Sequence, residues 1–250
     1  MINDMKKVFI TGTSSGIGEY LAYAYAKQGY FVGLASRRED RLKNVASKCF
    51  EYGGDAKVYL LDVLDEDACQ QAIQDFIGLP GTVDSVFANA GIGNPDKLSS
   101  GRSDAMNQIL SVNILGVTNV VMPFIPHFKE QKSGKIAVIS SVASFRGLAH
   151  HSAYSGSKAA VRNISQGWGI ALHKYGISVT AVCPGFIKSE MTANNDFPMP
   201  FLMNTDLAAE KIIQAVNKKK KVFIFPWQWR IFMVPIMKYA PDWFVRRLGM

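Results

Sequence analysis

Short β-branched or aromatic runs recur along this chain, and between them lie longer stretches in which apolar residues return at helical spacing. The runs at residues 8–11, 31–36, 56–61, 85–88, 135–140, 177–182 and 222–225 predict strands. The stretches 17–28, 41–52, 66–77, 103–129, 153–175 and 206–217 predict helices. Gly29 closes the first of them, since glycine tolerates the left-handed conformation that ends a helix. Steady alternation of this kind predicts an α/β fold: one doubly wound parallel sheet of about seven strands, flanked by helices. No linker or internal repeat divides it, so residues 1–250 are expected to form a single domain. Ligands are expected beyond the strand C-termini, where the strand order reverses. Residues 189–204, with Pro198 and Pro200, lack periodicity and are expected to be a substrate lid. Residues 226–250 form a separate aromatic and basic tail.

Composition narrows the classes. A hydrophobic share of 48% with 19% charged residues suits a globular protein with a sizeable core. Cys49, Cys69 and Cys183 are odd in number and far apart, which predicts reduced, mostly buried thiols and no metal site. His127, His150, His151 and His173 form no ligand pattern. The first residues show no signal-peptide pattern, and no uninterrupted apolar run reaches the ~18 residues of a spanning segment, so the cytoplasm is the expected compartment.

The first strand runs into Thr11-Gly12-Thr13-Ser14-Ser15-Gly16-Ile17-Gly18, and a helix follows. Gly12 permits a sharp exit from the strand, Gly16 lets the backbone approach a pyrophosphate, and Gly18 allows close helix packing. Ser14, Ser15 and Ile17 complete the loop at a helix N-terminus, whose free N–H groups and dipole favour phosphate. Further signals follow in order: Asp62-Val63, Asn89-Ala90-Gly91, Asn113, Ser141, Tyr154 with Lys158, and Pro184-Gly185. On these residues the chain resembles the short-chain dehydrogenase/reductase family over about residues 6 to 192. The resemblance implies a Rossmann-type fold, a nicotinamide cofactor, a small-molecule carbonyl or alcohol substrate, and assembly as a homodimer or homotetramer. It further implies that Asp62 and Val63 lie at the adenine, that Ile187 and Ser189 contact the nicotinamide carboxamide, and that Asn89, Ala90 and Gly91 shape the sheet edge beside the adenosine. Asp62 also suits a plain helix cap.

The second strand ends Ala35-Ser36-Arg37-Arg38. Ser36 stands where NAD-selective members of the family carry an acid, and guanidinium groups suit a 2′-phosphate by charge and by bidentate geometry. NADP(H) is therefore expected over NAD(H); in the competing reading Arg37 and Arg38 merely begin a solvated helix.

Tyr154 and Lys158 are four residues apart, so a helix projects both from one face. An ammonium beside a phenol stabilises the phenolate and lowers a pKa that otherwise lies near ~10. The family resemblance implies that Tyr154 is the acid/base, that Lys158 also binds the nicotinamide ribose, and that Ser141 holds the substrate oxygen. It implies too that Asn113 bends its helix and offers a backbone carbonyl to a water linking Lys158 to solvent. Together they imply hydride transfer between nicotinamide and a carbonyl or secondary alcohol of an apolar substrate. The alternative is a non-catalytic NADP-binding sensor or scaffold on the same fold, which would not need all four residues.

The net charge of +8 is uneven: from Asn217 to the end, eight basic residues face one acid, Asp242. Trp227, Trp229 and Trp243 lie among them. A helix packed on the body or in a subunit interface, a peripheral membrane-surface segment and a lid over an apolar substrate all remain open for the tail. Nucleic acid is not expected, because no recognition module accompanies the charge.

Overall fold

The computed structural model describes residues 5–96, 98–193, 195, 198–241 and 243. Seven strands, β1 (Lys6–Thr11), β2 (Phe31–Ser36), β3 (Asp55–Leu60), β4 (Thr82–Ala88), β5 (Gly134–Ile139), β6 (Ile177–Pro184) and β7 (Val222–Phe225), form one sheet. Their order is β3-β2-β1-β4-β5-β6-β7, and every neighbouring pair is parallel. The order reverses between β1 and β4, which fixes the switch point between the loops that follow those two strands.

Strand alternation feeds two cores. On β1, Val8 and Ile10 join Leu21 and Tyr25 of α1 (Gly16–Ala26), Leu42 and Val45 of α2 (Glu39–Glu51), and Ile212 of α8, which spans Thr205–Asn217. Phe9 points the other way, onto Phe76 of α3 (Glu66–Gly78), Phe124 and Val161. Fully buried Lys7 is the polar exception: its ammonium donates to the carbonyls of Phe76 and Ile77 at 3.0 and 3.1 Å and to that of Leu79 at 2.5 Å, closing the end of α3.

One expectation needs correction. The helix expected over 103–129 is segmented into α4 (Asp104–Leu110), a π-helical turn (Ser111–Leu115), α5 (Gly116–Val121) and α6 (Phe124–Gln131). Pro123 has no N–H for the ladder, so α6 restarts after it. By length and composition this 104–131 stretch could cross a membrane, although no uninterrupted apolar run was expected; half of its apolar window is buried against the body, as in a core helix. β6 extends past the run read at 177–182 and ends at the Pro184-Gly185 break. Its ladder with β5 ends where Ser140 N–H donates to the Val182 carbonyl, while pairing with β7 continues to Phe225, so the missing proline N–H interrupts nothing.

α7 (Ser152–Leu172) crosses the sheet and packs on β6. Beyond β7 the tail forms a π-helical turn (Trp229–Met233) and α9 (Val234–Tyr239). Trp229, Val234 and Met237 are buried there beside Val142, Phe145, Leu148 and Phe186. Of the expected lid, Asn194, Asp196 and Phe197 lie outside the described residues, as do Asp242 and residues 244–250 of the tail. Cys49, Cys69 and Cys183 are buried free thiols.

Candidate active site

The loop after β1 turns at Gly12, whose φ of +70° favours glycine. A Cβ there would sit 2.8 Å from Asn89 Nδ2, and one on Gly18 would sit 2.3 Å from the Gly12 carbonyl oxygen. Thr11 ties the loop to β4: its hydroxyl accepts from the N–H groups of Asn89 and Ala90 at 3.1 and 3.2 Å. Asn89 Nδ2 returns bonds to the Thr11 and Gly12 carbonyls at 2.9 and 3.3 Å. Its side chain is therefore spent on holding the loop. Ser15 caps α1 without a side-chain bond, and no acid precedes Glu19 in the first turn, so that turn keeps its N–H groups for an anion. A cradle this tight at an uncapped helix end fits a pyrophosphate.

At the end of β2 the two arginines part. Arg37 reaches Asp62 Oδ2 at 3.5 Å. Arg38 crosses to the loop, donating from Nε to Ser14 Oγ at 3.0 Å and from Nη2 to Ser15 Oγ at 2.7 Å. Asp62 does not cap α3; Asp65 does, accepting from Ala68 N–H at 2.9 Å, while Asp62 accepts from Leu64 N–H one turn earlier. The Val63 side chain is buried in the core, and its carbonyl accepts from Asn119 Nδ2. Ile187 is likewise buried, on the bridge to Met203, whereas Ser189 lies against Gly16. Gly185 N–H donates to the Phe225 carbonyl at 2.8 Å, and the Trp229 indole packs against Gly185.

Ser141, Tyr154, Lys158 and Asn113 converge at the C-terminal edges of β4 and β5. Ser141 opens a 3₁₀ turn (Val142–Phe145) after β5, and its oxygen accepts from Ala143 N–H at 3.1 Å. Its hydroxyl lies near enough to the Tyr154 phenol to favour the phenolate. Burial raises the phenol's pKa, and the Ser141 hydroxyl works against the rise. Lys158, one turn along α7, is buried and donates from Nζ to the Ile139 carbonyl at 2.9 Å; burial lowers its pKa to about 8. Its Nζ stands 5.8 Å from the centre of the Tyr154 ring. Asn113 lies in the π-helical turn and is fully buried. Its side chain exchanges 2.9 Å bonds with both backbone groups of Ile92 and donates to Ser157 Oγ at 2.9 Å. Gly91 runs between Asn113 and Lys158.

Two participants were not anticipated. Asp96, in the loop after β4, accepts from the N–H and hydroxyl of Ser152 and from Ala153 N–H at 3.3 Å, so it caps the helix that carries Tyr154. Asp96 lies 56 positions before Ser152, so nothing at the start of that helix signals it. Glu190 reaches back to Arg38, and nothing in the local sequence signals it. Tyr154 borders Gly93 and Met191, while Phe145, Leu148 and Phe186 pack on the tail beside the turn after Ser141.

The sequence profile of the short chain dehydrogenase family matches residues 6–198. An uncharacterized oxidoreductase of Myxococcus xanthus is 35% identical over 223 residues, covering 89% of this chain and 88% of that protein. An 11-beta-hydroxysteroid dehydrogenase-like protein (4A) of Arabidopsis thaliana is 39% identical over 209 residues, covering 82% of this chain and 65% of that one. The solved structure of ElxO with NADP bound superposes with a TM-score of 0.80 at 27% identity, over 90% of this chain and 99% of that one. A profile that spans most of the sheet and ends beyond Pro184-Gly185 makes this chain an oxidoreductase of the short-chain dehydrogenase/reductase family.

Proposed function

We propose that the chain is an NADP(H)-dependent enzyme that reduces a carbonyl, or oxidises the matching secondary alcohol, of an apolar small molecule. The observation that carries this reading is the convergence of Ser141, Tyr154 and Lys158 at one edge of the sheet, beside a loop built for phosphate. The bound nicotinamide supplies or accepts the hydride. Ser141 holds the substrate oxygen. Tyr154 gives that oxygen its proton in reduction and removes it in oxidation. The Lys158 ammonium lowers the cost of the phenolate. Asn113 holds the Ile92 segment and Ser157 together, and its π-helical turn shifts the hydrogen-bond ladder, consistent with a backbone carbonyl offered to a water.

Arg38 carries the cofactor preference: it stands at the end of β2 on the two loop serines, where Ser36 takes the place of the acid that NAD-selective members of the family carry. Arg37 is drawn to Asp62 and has the smaller share. The NADP bound to the ElxO relative supports the same preference. The apolar Met191 side chain beside Tyr154 supports an apolar substrate. Exposed Leu115, Met122 and Ile170 support assembly with further copies of the chain.

A panel of carbonyl compounds with NADPH oxidation as readout tests the reaction. Tyr154→Phe is expected to bind NADPH as the unaltered protein does while turnover falls by at least the ~10²-fold of lost acid–base catalysis. Near-normal turnover in that variant would refute the role given to Tyr154.

A further inference from the structure

Arg38 makes a third contact, different in kind from its bonds to Ser14 and Ser15. Its Nη1 donates to Glu190 Oε2 at 2.8 Å, across 152 positions of sequence. Arg41, one turn into α2, approaches the other oxygen of the same carboxylate at 3.6 Å. Both oxygens of Glu190 thus face guanidinium groups, one of them the Arg38 assigned to a phosphate. The Arg38 hydrogen bond holds the Glu190 carboxyl below its usual pKa range, with the Ser15 hydroxyl adding to it.

The segment bearing Glu190 is built to reach that place. Lys188 N–H donates to the Met203 carbonyl at 2.9 Å, and the Thr205 hydroxyl donates to the Lys188 carbonyl, which anchors the base of the segment at the start of α8. A turn follows: Thr192 N–H donates to the Ser189 carbonyl at 3.1 Å, and Ser189 N–H donates to Thr192 Oγ1 at 3.0 Å. This turn places Ser189 against Gly16 and carries Met191 to the Gly93 surface beside Tyr154. One short turn therefore borders the phosphate end of the groove through Glu190 and the reacting end through Met191.

We propose that Glu190 competes with a 2′-phosphomonoester for the Arg38–Arg41 pair, so that binding of such a cofactor releases the 189–192 turn from the glycine loop. The inference rests on Arg38 being the phosphate-binding residue. A carboxylate and a phosphate monoester are both bidentate acceptors for guanidinium, and one Nη1 donor cannot serve both at full strength. The phosphate carries more charge and prevails, but its apparent affinity is lowered by the contact it must displace. A dinucleotide without the 2′-phosphate does not engage in this exchange.

Equilibrium titration with NADPH, NADH and 2′-AMP tests it, using the unaltered chain, Glu190→Gln, Arg38→Gln, the double variant and Glu39→Gln. Glu39 is an exposed acid beside Arg38 that pairs with Lys43, so its variant measures the general effect of removing a nearby negative charge. Glu190→Gln should bind NADPH and 2′-AMP roughly two- to fivefold more tightly, the scale of an ion pair between half-exposed groups, with NADH unchanged. Glu39→Gln should show no such gain, and the gain should vanish in the Arg38→Gln background. Unchanged or weaker NADPH binding in Glu190→Gln, or an equal gain for NADH, overturns the competition while leaving Arg38 as the phosphate ligand. If Arg38→Gln leaves the ratio of NADPH to NADH affinity unaltered, the phosphate assignment itself falls, and the competition with it.

Discussion

Lys158 shows how much a single buried cation can govern. Its ammonium has left water for a site beneath the tyrosine, where it donates to the Ile139 carbonyl, and burial brings its pKa down to about 8. Burial acts on Tyr154 in the opposite sense, because the charged form is the phenolate, and keeps the proton on the oxygen at neutral pH. Both states suit reduction, which needs a protonated phenol and a charged lysine. Since the group lost on raising the pH is the Lys158 charge, kcat/KM for carbonyl reduction should be level below about pH 8 and fall above it. A pH–rate profile of NADPH oxidation checks this, and a rate that holds constant well beyond pH 9 would contradict it. The pairing of these two residues could be read from their spacing; their burial could not, because it depends on how α7 packs on β5 and β6, which the helix pattern does not record. The same limit explains the arginines. Two neighbouring guanidinium groups at a strand end look equivalent on paper, yet only Arg38 points at the loop serines while Arg37 turns to Asp62.

Among the elements, the strands were legible because each is a compact run of β-branched and aromatic residues closed by glycine, proline or polar positions. The long helix was legible in extent but not in form: periodicity carries no mark of the π-helical turn at Asn113, which changes the ladder within an unbroken apolar pattern. The start of α7 is served from outside its own stretch of sequence. His151 precedes the helix without a side-chain cap, and the first N–H groups are served by Asp96 from another loop. Burial of Asp96 pushes its carboxyl pKa up, but the Ser152 side-chain and backbone hydrogen bonds outweigh that and hold it below the usual range. Asp96 N–H also donates to the His150 carbonyl at 2.6 Å, which ties the loop after β4 to the head of α7 a second time. Asp96→Ala should cost about 1–2 kcal/mol of unfolding free energy, the range for a lost N-cap, and should lower kcat more than it raises KM for NADPH. Asp96→Asn keeps an acceptor and should lose less in both. Denaturant unfolding beside steady-state kinetics measures the two effects, and an alanine variant as stable as the parent would remove Asp96 from this role.

At the scale of the whole molecule, the basic excess and the aromatic tail belong to different ends of the sheet. Lys218, Lys219, Lys220 and Lys221 precede β7, whereas Trp227 follows it, and a four-residue strand separates the two groups by about 13 Å. Among the described residues of the tail, the basic side chains are Arg230 and Lys238. The tail has two faces. Its inner face buries Trp229, Val234 and Met237 against the turn after Ser141, and Arg146 fastens the end of α9 by donating to the Met237 and Ala240 carbonyls at 2.9 and 2.6 Å. Its outer face exposes Ile231, Phe232, Ile236 and Tyr239. Ending the chain after Phe225 should therefore destabilise the protein, since each fully buried side chain of that face contributes roughly 1.5–3 kcal/mol as an upper bound. That loss would mask any membrane role, so the membrane reading needs a variant that leaves the inner face intact. Ile231→Ser with Phe232→Ser removes two exposed apolar groups and should melt as the parent does. If the outer face rests on a lipid surface, the parent should sediment with anionic liposomes at low salt and this double variant should not. Salt should weaken that association only modestly, because two cations on the face add ~1 kcal/mol each and apolar insertion supplies the rest. A parent protein that stays in solution at low salt would leave the outer face to a second copy of the chain, which analytical sizing of the double variant would then reveal as a loss of assembly.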